Sequence, residues 1–167
     1  NASCLAGMAF SNAFLGICHS MAHKIGGKFH TIHGETNATL LPYVIKYNGT
    51  QPGKLSIWPK YEHYKGGEKF QAIARMLGLK ADTPEEAVDS YAQAVFELGK
   101  RVGTPMSFKD HGVDYDKFKD ALKTLSLDAY EDQCTPANPR LALLKDLEGI
   151  MEAAWHGFDK KKYEENK

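Results

Sequence analysis

The sequence predicts an all-α, multi-helix bundle-like domain, and three observations carry that expectation. Apolar residues recur at helical spacing, as in Phe70, Ile73, Ala74 and Leu77. Clear start and stop signals punctuate these stretches, and no run alternates apolar and polar residues as a half-buried strand would. At 167 residues the chain suits one domain, 1–167, long enough to bury a real core, and no internal repeat is visible.

Taken in order, Ser3 stands where it can cap a first helix running to about Lys24. Small and apolar residues on nearly every face of that helix predict a central, buried position. Gly26-Gly27 then allows the chain to reverse, because glycine accepts the positive φ angles that close a helix. A second helix follows from His33 toward Tyr47, with Pro42 as a kink or boundary, and Gly49 to Pro59 reads as a loop. Tyr61 to Leu77 forms the next helix, ended by Gly78. Thr83-Pro84-Glu85-Glu86 supplies a capping hydroxyl, a proline at the first helical position and acids at the positive end of the dipole, opening a helix to about Val102. Another starts near Asp114 and carries Phe118, Leu122 and Leu125; the last runs from Asn138-Pro139 to about His156. The final DKKKYEENK reads as a solvated tail.

Composition narrows the class of partner. Lysine plus arginine equals aspartate plus glutamate at 21 each, so no net field recruits nucleic acid or an anionic membrane surface. No apolar run approaches the roughly twenty residues that span a bilayer, and no signal peptide is recognisable. The three cysteines, Cys4, Cys18 and Cys134, are odd in number and widely spaced, which predicts reduced thiols in core positions and a cytoplasmic protein.

The chemistry-bearing residues are histidines. In HSMAHKIGGKFHTIHG, His19 and His23 stand four apart, one helical turn above each other, and a reversal after them brings His33 back toward His19. His30 lies between. Imidazole suits divalent transition metals, and a free pKa of about 6.5 leaves much of it neutral and ligand-competent at pH 7. Histidines four apart are by themselves commonplace in surfaces and cores. The metalloprotease pattern H-E-x-x-H is ruled out, since Ser20 stands where its general base would be.

The residues around the histidines sharpen this. The stretch from Gly7 to Asn48, GMAFSNAFLGICHSMAHKIGGKFHTIHGETNATLLPYVIKYN, resembles the metal-binding region of the iron-containing alcohol dehydrogenases. It is most similar to the alcohol dehydrogenase half of the bifunctional aldehyde/alcohol dehydrogenases. DQCTPANPR, Asp132 to Arg140, resembles a late segment of the same proteins, with proline at Pro136 where glycine is commoner. The two segments occur in the family's order at about the family's separation, and the resemblance covers nearly the whole chain.

The resemblance implies a C-terminal metal-binding domain of an NAD-dependent enzyme that interconverts primary alcohols and aldehydes. It implies four metal ligands, of which His19 and His33 are two and an earlier domain supplies the others. It assigns His23 to the active cleft as a catalytic, proton-relaying or orienting residue, and it matches Cys134 to a position near the cleft that core packing would equally explain. Phe29 either lines the substrate pocket or packs the turn, and His30, which has no family-wide role, either lines the cleft or lies at the surface. The metal implied is ferrous iron, with zinc an alternative that the same ligands accept. NAD would be bound mainly by a nucleotide-binding domain absent from this sequence, which contains no glycine-rich turn between a strand and a helix. The chain therefore reads as a fragment of a larger enzyme, inactive alone, whose parent is an oligomer or filament. Locally, no carboxylate is placed to neutralise a cation. Two other readings are an interaction or assembly module and a stand-alone helical metal-binding protein.

Overall fold

The computed structural model describes residues 1–52 and 64–158, which form helices and connecting turns with no strand among them. Most of the expected Gly49 to Pro59 loop, the Tyr61 start of a helix and the lysine-rich tail lie outside the described residues. The helices are α1 (Ala2–Ala13), α2 (Ile17–Phe29), α3 (His33–Gly49), α4 (Gly66–Met76), α5 (Pro84–Arg101), α6 (Tyr115–Tyr130) and α7 (Leu144–His156), with a 3₁₀ turn at Thr135–Ala137. Helix α3 is central: α2 and α7 pack on it from one side, α4 and α5 from the other, and α6 closes against α2 and α7.

The main core lies where α2, α3, α6 and α7 meet. Ile17, Met21, Ala22 and Ile25 present one apolar face of α2 to Leu40 and Tyr43 of α3, Phe118 and Leu122 of α6, and Leu147 and Met151 of α7. Each large apolar side chain fully buried there stabilises the fold by about 1.5–3 kcal/mol. A second cluster, Ile45, Val88 and Ala92, joins the other side of α3 to α5.

Local cap chemistry behaves as the sequence predicts in the middle of the chain. The Thr83 hydroxyl accepts the Glu86 N–H at 3.1 Å with Pro84 at the first helical position, and Asp114 accepts the Lys117 N–H at 3.0 Å. Gly78, at φ 69°, closes α4. Helix α3 continues through Pro42, which is buried, at the cost of one backbone donor.

Four boundaries differ from expectation, and tertiary contacts explain most of them. The expected first helix is two helices bent by 110°. The chain breaks because Phe14 takes φ 63° and Gly16 brings its backbone against Asn138, whose Oδ1 accepts the Ile17 N–H at 3.4 Å; a Cβ on Gly16 would stand 2.7 Å from that oxygen. Ser3 is therefore inside α1 rather than capping it, and α1 buries none of its residues, so Cys4 is exposed rather than in the core. The reversal after α2 is made by His30, in the left-handed region at φ 57°, while Gly26 and Gly27 remain helical. Gly26 contributes differently, by lacking a Cβ that would meet the Thr31 carbonyl at 3.3 Å as the chain folds back. Helix α4 begins at Gly66 rather than before it, because the Tyr64 hydroxyl is pinned to the Asn48 carbonyl at the end of α3. Finally, α7 starts at Leu144, not at Asn138, whose side chain is committed to Asn48; Asp146 instead accepts the Leu143 N–H at 2.8 Å.

Candidate metal centre

Two helices and the reversal between them build the histidine cluster. His19 and His23 project from α2 one turn apart, and His33 is the first residue of α3. The ring centroids of His19 and His33 lie 5.4 Å apart, those of His23 and His33 5.4 Å with the planes inclined by 15°, and those of His19 and His23 6.1 Å. All three sequence-predicted imidazoles thus meet. Burial lowers the basicity of His19, and neighbouring His33 and His23 lower it further against the opposing effect of Asp132. Phe10 of α1 stands 6.3 Å from the His19 ring.

The start of α3 is held rigidly. Thr31 and Thr36 share a hydroxyl hydrogen bond of 2.7 Å, and Thr36 also donates to the Ile32 carbonyl. The Asn37 carboxamide nitrogen lies 3.1 Å from both the backbone oxygen and Nε2 of His33, while its oxygen is buried without a hydrogen-bond partner among the described residues.

A carboxylate does stand at the cluster, contrary to the local reading of the sequence. Asp132, between α6 and the 3₁₀ turn, places Oδ2 3.2 Å from His23 Nδ1 and 2.9 Å from Lys24 Nζ, and its Oδ1 accepts the Cys134 N–H at 3.0 Å. Burial pushes the carboxyl pKa up, but the donors from Cys134, Lys24 and His23 outweigh it and hold the group well below the usual carboxylate range. Asp132, Lys24 and Asn37 received no site role from sequence. Asp132 is 109 residues from His23, so no local spacing could reveal the pair.

The remaining candidates divide. Cys134 is buried beside Asp132, and burial together with that carboxylate pushes its thiol up to about 11. Cys18 is pushed up to about 12 by burial. Phe29 and His30 border a groove between α2 and α6 that also reaches His23 and Lys24, with the Phe29 ring 5.8 Å from Phe118. The segment carrying Cys134 is tied to α2 by the Thr135 hydroxyl, which meets the Ser20 hydroxyl at 2.8 Å.

An all-helical domain with three imidazoles and a buried carboxylate gathered where two helices reverse is the class that fold and site define. The profile of the "Fe-containing alcohol dehydrogenase family, C-terminal" matches residues 1–155, and the chain belongs to that family. It is 61% identical over 158 residues to an aldehyde-alcohol dehydrogenase of Streptococcus pneumoniae serotype 4, covering 95% of this chain and 18% of that protein. It is 43% identical to an NADPH-dependent butanol dehydrogenase of Clostridium saccharobutylicum, covering 95% of this chain and 37% of the relative. Among solved structures, a 1,3-propanediol oxidoreductase superposes with a TM-score of 0.74 at 32% identity, over 92% of this chain and 36% of the other. The chain thus spans less than half the length of these relatives. No single described helix is long and apolar enough to cross a membrane.

Proposed function

We propose that this chain is the metal-binding helical domain of an NAD-linked alcohol dehydrogenase that interconverts primary alcohols and aldehydes. The mutual placement of His19, His23 and His33 carries the reading. The donor set fits a divalent transition cation, ferrous iron or zinc, because imidazole ligates only when neutral and the burial of His19 favours its neutral form. His19 and His33 would be the two residues of this domain that hold the cation. A bound divalent cation supplies Lewis acidity that eases ionisation of a substrate hydroxyl. His23, half-exposed beside the two ligands, accepts the hydroxyl proton and passes it toward solvent. Phe29 and His30 border the substrate approach.

The remaining ligands and the NAD site belong to a nucleotide-binding domain outside this sequence, in a cytoplasmic, oligomeric enzyme. Exposed Leu5, Met8, Phe10 and Phe14 on and after α1 are apolar surface for that domain or a second subunit to cover.

Calorimetric titration of the chain with zinc tests the assignment. His19→Ala and His33→Ala abolish binding, while His23→Ala retains it. In an enzyme that includes this domain, His23→Ala slows NADH-linked aldehyde reduction by about 10²–10⁴-fold with metal retained. Equal loss of metal in all three variants refutes the division of roles.

A further inference from the structure

Three donors converge on Asp132, whose side chain is 7% exposed: Lys24 Nζ at 2.9 Å, His23 Nδ1 at 3.2 Å and the Cys134 N–H at 3.0 Å. An ionised carboxylate can accept all three, since it offers lone pairs and no donor. The nitrogen of His23 that faces it must then carry a proton. In the neutral ring this leaves Nε2 as the lone-pair nitrogen, and the ring is fixed in the plane that lies 15° from that of His33. We propose that Asp132 is a positioning residue, holding His23 as the Nδ1–H tautomer with Nε2 free to accept a proton.

Two other uses of the same side chains fit less well. Ligand atoms of His23, Asp132 and Cys134 lie within 4.8 Å of one another, as a second metal site would require. The Lys24 ammonium already occupies the same Asp132 oxygen as His23, however, and its charge opposes a dication there. A purely structural ion pair would be complete with Lys24 alone and would leave the His23 tautomer unspecified. The contact from Nδ1 is the one that decides between them, because it acts on a ring in the histidine cluster. Carboxylate partners of this kind set tautomer and ring orientation wherever histidine works at a site.

The tautomer claim stands by itself; its consequence for proton transfer rests on the function proposed above. The test is long-range nitrogen–proton correlation NMR of the labelled chain at pH 8.5, about two units above the free histidine value. In the native chain His23 shows the Nδ1–H pattern. Asp132→Asn shifts it toward the Nε2–H pattern, while Lys24→Met, which removes the ammonium and keeps the carboxylate, leaves it unchanged. A native His23 in the Nε2–H form overturns the proposal even if the Asp132 variant fails to fold, and so does an unchanged pattern in a folded Asp132→Asn chain. Zinc added to the native sample separates the two ideas. Absence of any response at His19 and His33 sinks the metal-domain reading and leaves the role of Asp132 intact.

Discussion

Replacing Asn138 by alanine should be among the most damaging single changes outside the histidine cluster. Asn138 is 3% exposed and joins three parts of the chain. Its Nδ2 donates to Asn48 Oδ1 at 2.8 Å and to the Arg140 carbonyl at 2.6 Å, and its Oδ1 accepts from Asn48 Nδ2 at 3.2 Å and more weakly from the Ile17 N–H at 3.4 Å. Alanine removes all four contacts and strands both ends of the Asn48 carboxamide, itself only 8% exposed. A stranded buried polar group costs about 1–3 kcal/mol. Two such groups, with some relief from water entering the space, give a loss of about 2–5 kcal/mol, a large part of the roughly 5–15 kcal/mol of a typical domain. Urea unfolding followed by circular dichroism measures this directly, and the corresponding fall in Tm is about 5–15 °C for a chain of this size. Asn138→Asp should cost at least as much, because a carboxylate cannot donate to Asn48 Oδ1 or the Arg140 carbonyl and brings a buried charge. A loss below about 1 kcal/mol for alanine, or an aspartate variant more stable than the alanine one, would refute the reasoning.

Three further outcomes follow from the structure. The folded Asp132 carboxyl is held below its ordinary value, so the stability it contributes is present above about pH 4 and drains away as pH falls through that point toward the folded value; Asp132→Asn should flatten this acid limb in urea midpoints measured from pH 6 to pH 2.5. His30 holds a left-handed φ of 57°, which costs a side chain about 1–2 kcal/mol, against about 0.5–1 kcal/mol of extra unfolded-state entropy for glycine; His30→Gly should therefore raise stability by up to about 1 kcal/mol, and a clear loss would show that the His30 side chain makes a compensating contact. The 167-residue chain supplied with ferrous iron and NADH should reduce no aldehyde above a metal-only control, and measurable turnover would overturn the assignment of the nucleotide site to another domain.

How far the sequence could be read depended on how far apart the interacting residues lie. The Thr83 and Asp114 caps and the Gly78 stop are set by atoms within a few residues, and they stand where the sequence predicts. The same holds for the imidazole side of the site, since His19, His23 and His33 are joined by helical periodicity and one short reversal. The break between α1 and α2 depends instead on Asn138, 121 residues from Ile17, and no local propensity encodes it. An apolar run from Leu5 to Cys18 reads as one buried helix because Gly16 alone, a residue that helices also tolerate, marks the bend that Asn138 stabilises.

The carboxylate side of the site has the same remote origin, and the two are physically linked. Asp132 and Asn138 lie on one short segment, DQCTPANPR, whose 3₁₀ turn is fastened to α2 through Thr135 and Ser20. From that segment Asn138 bonds to the N-terminus of α2 and Asp132 to His23, one turn beyond His19 on the same helix. Fixing a helix at two points along its length restrains both its translation and its rotation, which is what holding His19 and His23 against His33 requires. The late segment thus acts on the imidazoles without contributing one, through the contact of Asp132 with His23 and the hold of Asn138 on the start of α2.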